Sequence, residues 1–233
     1  MSTTRRTVLG AALAAPLLGQ LTGTAAGAAP AGQDGPTGRA ARAARAARLG
    51  SLSEGWVEVR WTPAAQAQLD RYQAVVEEIA PARMVHDERG AAVRLPVRTA
   101  QGDPSTADPA KAHGDGSLDG GVTLRTSEGT FRIVNVAGAL TDGVASGRCE
   151  VGGADMGHRS VFRCGLEEGT LTAEPAPPGQ PVRVRVSQVP LRATQEVLDT
   201  LTTSFGPHPV TVDTVLAYVT AEGLYTPPPP ARE

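Results

Sequence analysis

The sequence predicts a mainly β protein, a β-sandwich or open barrel of short antiparallel strands with one or two helices. Three observations carry this. Short runs alternate apolar and polar residues with period two. Glycine and proline punctuate them, 27 and 19 among 233 residues. Only two stretches keep helical spacing.

In chain order, Trp56 to Trp61 alternates, with Val57, Val59 and Trp61 on one face and Trp56, Glu58 and Arg60 on the other. That is a half-buried strand. Thr62 and Pro63 then form a helix start, an N-cap threonine followed by proline at the first helical position. Ala65, Leu69, Tyr72, Val76 and Ile79 continue at helical spacing, and Pro81 is expected to end the helix. Val93, Leu95 and Val97 alternate as a strand, and a polar loop is expected from Thr99 to Gly114. Val122 and Leu124, the turn Ser127-Glu128-Gly129, and Phe131 to Val136 read as a hairpin. Val144 to Val151 and Ser160 to Leu166 read as a second hairpin with a long glycine-rich connection. Leu171, then Val182, Val184 and Val186, add strands, and Leu191 to Phe205 is expected to be helical. Val210 to Val219 fits both periods.

The ends differ from this body. Residues 1–28 read as an export signal of twin-arginine (Tat) type: Arg5-Arg6, a mildly apolar segment from Val8 to Leu21, and Ala26-Gly27-Ala28 as a cleavage pattern. The apolar segment is too short and interrupted to span a bilayer. Residues 29–50 form an Ala/Arg-rich linker with Arg39, Arg42, Arg45 and Arg48 at three-residue spacing. Its alternative roles are a solvated spacer and a cationic tether to anionic cell-envelope polymers. Residues 51–225 are expected to form a single β-rich domain, and 226–233 a proline-rich tail.

Charge follows the same division. The chain has 22 basic and 24 acidic residues. Without Arg5 and Arg6 it has 20 and 24, and from Leu49 onward 16 and 23. A body this acidic argues against a nucleic-acid partner, whose phosphates need clustered cations. There is no P-loop and no Gly-x-Gly-x-x-Gly opening a helix, so nucleotide folds are not expected.

Few residues carry candidate chemistry. Cys149 and Cys164 are the only thiols, and in an exported protein their count predicts a disulfide between the arms of the second hairpin. Asp115, Ser117 and Asp119, followed by Gly120, match the first half of a calcium loop, but Thr126 stands where a bidentate acid is needed. No two histidines fall at zinc-ligand spacing. His158 and Ser160 lie two apart without a nucleophile-elbow motif.

Gly55-Trp56-Val57-Glu58-Val59, the helix through Leu69 and Tyr72, and Gly116 to Leu124 resemble HtaA-type domains of secreted bacterial haem-uptake proteins. The resemblance covers about residues 53–190 and implies a β-sandwich. It implies haem ligation by a helix-borne tyrosine, which Tyr72 would match. The supporting Gly-His position falls near Asp119-Gly120-Gly121, which has no histidine.

The expected function is an exported, non-catalytic binding or structural protein of the cell envelope or medium. A haem-binding or haem-uptake protein and a secreted hydrolase are the alternatives. No cofactor is expected outright, with haem and calcium as the candidates. Expected partners are the Tat translocase and signal peptidase during export, and a cell-envelope polymer. Nucleic acid and a stable membrane span are not expected.

Overall fold

The alternation at Trp56–Trp61 belongs to a longer strand, β1 (Gly50–Trp61), whose inward positions Val57, Val59 and Trp61 face a closed sheet. The computed structural model describes residues 49–103, 113–139, 142–177 and 179–228. The expected export signal with Arg5 and Arg6, the expected linker through Arg48, and residues 229–233 lie outside them.

After β1 come helix α1 (Pro63–Arg71), β2 (Val75–Ile79), β3 (Arg83–Asp87), β4 (Gly90–Asp103), β5 (His113–Leu118), β6 (Gly121–Arg125) and β7 (Thr130–Ala139). Then follow β8 (Val144–Val151), β9 (Ala154–Cys164), a 3-10 turn (Leu166–Glu168), β10 (Thr170–Ala173), β11 (Val182–Ala193), helix α2 (Gln195–Phe205) and β12 (Val215–Thr226). All strand pairs are antiparallel, in the order β2-β6-β7-β5-β4-β1-β12-β11-β9-β8, with β3 on β4 and β10 on β11. β7 also pairs with β8, so eight strands from β7 round to β8 close into a barrel. The mainly β expectation holds, and the barrel is closed rather than open. Closure leaves those eight strands without a free edge.

One end of the barrel is plugged. Val93 and Leu95 pack with Ala82, and Val59, Trp61, Met84 and Leu118 close around them. The β2–β3 turn supplies Ala82 and lies so close to Gly120 that a Cβ there would meet the Ile79 carbonyl oxygen at 2.4 Å. Gly120 also has φ +83°, so only glycine suits this approach. A second core lies beneath α2, where Val197 and Leu198 cover Phe131, Ile133, Cys149 and Val161.

Four boundaries differ from expectation. α1 starts as predicted, with the Thr62 hydroxyl accepting the Ala65 amide at 3.1 Å, but ends at Arg71 rather than Pro81. Val75 to Ile79 instead forms β2, paired with β6 from Val75–Arg125 to Ile79–Gly121. The β-branched Val75, Val76 and Ile79 suit a pleated ladder, and their helical spacing was coincidental. β4 runs on through Asp103 and β5 begins at His113, so both strands extend into the expected Thr99–Gly114 loop. The second hairpin has a two-residue turn, Gly152-Gly153 at φ +55° and +85°, because β9 begins at Ala154. Two positive-φ glycines are the signature of a tight primed turn. Finally, Leu191 to Ala193 end β11, so α2 begins only after Thr194, and the ambiguous segment becomes strand from Val215.

Thr194 joins the two layers. Its hydroxyl donates to the Ser160 carbonyl at 2.6 Å and accepts the Val197 amide at 3.3 Å. Thr194→Ala is expected to destabilise the chain by about 1–2 kcal/mol, read as a lower urea midpoint with an unchanged slope.

Candidate functional site: an apolar barrel lumen

A closed eight-stranded sheet has an interior that side chains either fill or leave open for one small ligand. Here it is left open. Above the Val93–Leu95 plug, a cavity of about 420 Å³ is lined almost wholly by aliphatic carbon. Its walls carry Val57 and Val59 of β1, Val184 and Val186 of β11, and Val219 and Ala221 of β12. Ala100 on β4 and Ala145 on β8 are short, and Gly116 and Gly138 add no side chain. Trp61, Phe162 and Tyr225 are the aromatics lining the cavity, in a chain with eight in all. A shortage of large side chains is thus what leaves the lumen unfilled. The volume is within the range of small-molecule sites.

At the end away from the plug Tyr225 lines the lumen, while Thr99, Gln101, Asp103 and Asp115 are exposed. Thr99 and Ser117 hydroxyls are 2.8 Å apart, and the Gln101 amide donates to Asp115 at 3.2 Å. Burial, with the nearby Asp103 charge, pushes the Tyr225 phenol above its usual range. The lumen can therefore hold an apolar body.

The predicted site residues are scattered relative to this lumen. Tyr72 caps the C-terminus of α1 on the outer surface, 37% exposed, and its hydroxyl donates to the Pro207 carbonyl at 3.2 Å. Asp115 and Ser117 sit on β5, bonded to Gln101 and Thr99 of β4 in exposed pairs, whereas Asp119 lies in the following bend, bound by Arg98. Among the described residues no group of three or more His, Cys, Asp or Glu is arranged to hold a metal. Ser160 is held through its backbone, its amide donating to Glu196 at 3.1 Å, while His158 lies opposite Arg148 on the β8–β9 hairpin.

The expected disulfide is absent, and both cysteines are free. The tight Gly152-Gly153 turn places Cys149 opposite Gly157, seven residues short of Cys164 on β9. At the rise of a strand that is about 20 Å, far beyond the Cα separation a disulfide tolerates. Cys149 lies in the core under α2, and Cys164 lines the lumen. Burial pushes both thiols up to about 11. Because burial favours the neutral thiol, its stabilisation is present below the ordinary cysteine value and lost as pH rises through 11. Two thiols per chain are expected to react after unfolding without reductant, and dithiothreitol is expected to leave Tm unchanged. A Tm that falls with reductant would restore the bridge.

The lumen wall itself had a partial signal in the sequence. The inward valines of β1, β4 and β11 are visible as period-two runs, but which residues face one another depends on closure through β7 and β8.

Fold and site together define a closed antiparallel barrel with an apolar lumen. Among solved structures, the chain is similar to the C-terminal domain of HtaA from Corynebacterium glutamicum, at 12% identity and a TM-score of 0.41, over 76% of this chain and 99% of that one. No protein-family model matches the chain, and no curated protein matches it. Among the described residues, no helix is long and apolar enough to cross a membrane.

Proposed function

We propose that the chain is an exported, non-catalytic binding protein that carries a small apolar molecule in its barrel lumen. The single observation behind this is the cavity of about 420 Å³, walled almost wholly by apolar atoms and closed at one end by the cluster around Val93 and Leu95. Burying an apolar ligand there recovers about 25 cal/mol for each Å² removed from water, and a lumen preformed by eight strands spends little on ordering. Export is supported by Arg5-Arg6 and the segment after them. The two arginines would meet the Tat translocase, and Ala26-Gly27-Ala28 the signal peptidase.

Haem binding through Tyr72 is less favoured, because its hydroxyl is engaged by Pro207 and lies outside the lumen. The test is a titration with N-phenyl-1-naphthylamine, an uncharged dye that fluoresces in apolar surroundings. Saturable binding of one dye per chain is expected, lost on unfolding in urea. Fluorescence that rises without saturating would contradict the proposal.

A further inference from the structure

We propose that Leu52 is the side chain that limits the length of the apolar molecule the lumen accepts. This rests on the lumen being a ligand site, and it adds the residue that measures the ligand.

Glycines thin the wall at the end of the lumen away from the plug, where Gly102, Gly116 and Gly138 line it without side chains. Leu52 and Tyr225 stand there, opposed across β1 and β12, and both line the cavity. Tyr225 leans away from the plug. Its ring lies against Gly50, where a Cβ would be 2.5 Å from Cζ, and its hydroxyl is bonded to the Gly50 backbone. Leu52 leans toward the plug, along the wall and over Gly55 and Gly223. A Cβ on Gly55 would lie 2.5 Å from Leu52 Cδ2, and one on Gly223 would lie 2.7 Å from Leu52 Cγ. The leucine thus fills the space left by two missing side chains and presents its own surface to the ligand.

A break in β1 puts the leucine there. Counting back from the inward Val57 in steps of two, unbroken alternation would turn Ser53 into the lumen and Leu52 out of it. Between Ser53 and Trp56 the register on β12 shifts by one, so that Glu54 and Gly55 together oppose Gly223, and Glu54 takes φ +51°. This is a β-bulge, and its extra residue exchanges the faces of the positions beyond it. Ser53 is accordingly exposed, and Leu52 lines the cavity. An aliphatic side chain therefore stands where a hydroxyl would have faced the lumen. Shortening Leu52 uncovers the two glycines and lengthens the apolar space. A larger side chain at 52 finds the glycine niche already filled and must extend into the cavity.

The test is displacement of the naphthylamine dye from the full chain by n-alkylbenzenes, from ethylbenzene to octylbenzene. With the parent, affinity is expected to rise about fourfold for each added methylene, the worth of burying one CH2, and to stop rising at a limiting chain length. With Leu52→Ala the rise is expected to continue past that limit, so that the homologue two carbons longer binds at least tenfold tighter than it does to the parent. With Leu52→Phe the limit is expected to fall, and the parent's best homologue to bind at least tenfold more weakly. Urea midpoints confirm that both variants fold, and damage to the fold cannot produce the gain expected of Leu52→Ala. A limit that stays in place in either variant, or a parent whose affinity climbs through the whole series, would overturn the role of Leu52 while leaving the lumen as the binding site. If neither the dye nor any alkylbenzene binds the parent, the lumen proposal falls and Leu52 with it.

Discussion

Replacing Ala221 by phenylalanine is expected to stabilise the chain by about 1–2 kcal/mol while abolishing dye binding in the lumen. Ala221 lies on β12 between Val57 of β1 and Val186 of β11, and it lines the cavity. Its short side chain is one reason the lumen is open. A phenyl ring there would fill space that holds no side chain and remove apolar surface from water, which is worth about 2 kcal/mol for a full aromatic side chain before any strain. Cavity filling of this kind commonly gives about 0.5–2 kcal/mol. The two effects run in opposite directions, so general damage to the fold cannot imitate them. Urea denaturation reads the first effect and the dye titration the second. A stabilised variant that still binds dye would put the dye outside the lumen, and a destabilised one would show the wall to be already packed.

Glu58→Ala is expected to cost about 2–3 kcal/mol. Glu58 is on the outer face of β1, yet its side chain is only 8% exposed. It accepts hydrogen bonds from Arg60 at 2.8 Å and Arg94 at 2.7 Å. Arg60 reaches on to Asp87 at 2.8 Å and to the Gly90 carbonyl at 2.7 Å, and the Arg94 guanidinium lies 4.2 Å from the centre of the Trp56 ring. The cluster therefore fastens β1, β3 and β4 over the plugged end. Breaking a fully buried ion pair costs about 3–5 kcal/mol, and the lower figure here allows for Arg60 keeping Asp87 and for the half-exposed Arg94. Burial alone would raise the Glu58 carboxyl, but the hydrogen bonds from Arg94 and Arg60 outweigh it and hold it below the usual glutamate range. Its stabilisation is thus present above that range and lost as pH falls through the lower folded value. Glu58→Gln is expected to flatten the acid limb of the stability curve below about pH 4. A limb identical to the parent's would place the acid sensitivity elsewhere.

The β architecture was legible because its strands are half-buried and alternate. Val57, Val59 and Trp61 point inward, and Trp56, Glu58 and Arg60 outward, as the period required. What local pattern could not reveal was pairing. Val76 and Ile79 satisfy helical spacing from Leu69 and also a strand on β6, and only the presence of β6 decides between them. The cysteine error began with one turn. Treating 152–159 as a connecting loop made 149 and 164 near partners, whereas the Gly152-Gly153 pair is itself a hairpin signal. Thr194 was likewise an available N-cap signal, obscured by the apolar Leu191 before it. The lumen was the least visible feature. It is assembled from inward positions on strands distant in sequence, and its emptiness follows from the aromatic scarcity already present in the composition.

The central claim is that the lumen carries a molecule. Native mass spectrometry of the chain, purified without detergent from the cells that make it, tests it most directly. The expected result is one small molecule per chain, retained under gentle ionisation, released on unfolding, and absent from Ala221→Phe. A chain that flies at its bare mass under the gentlest conditions, and does not take up the naphthylamine dye afterwards, would contradict it.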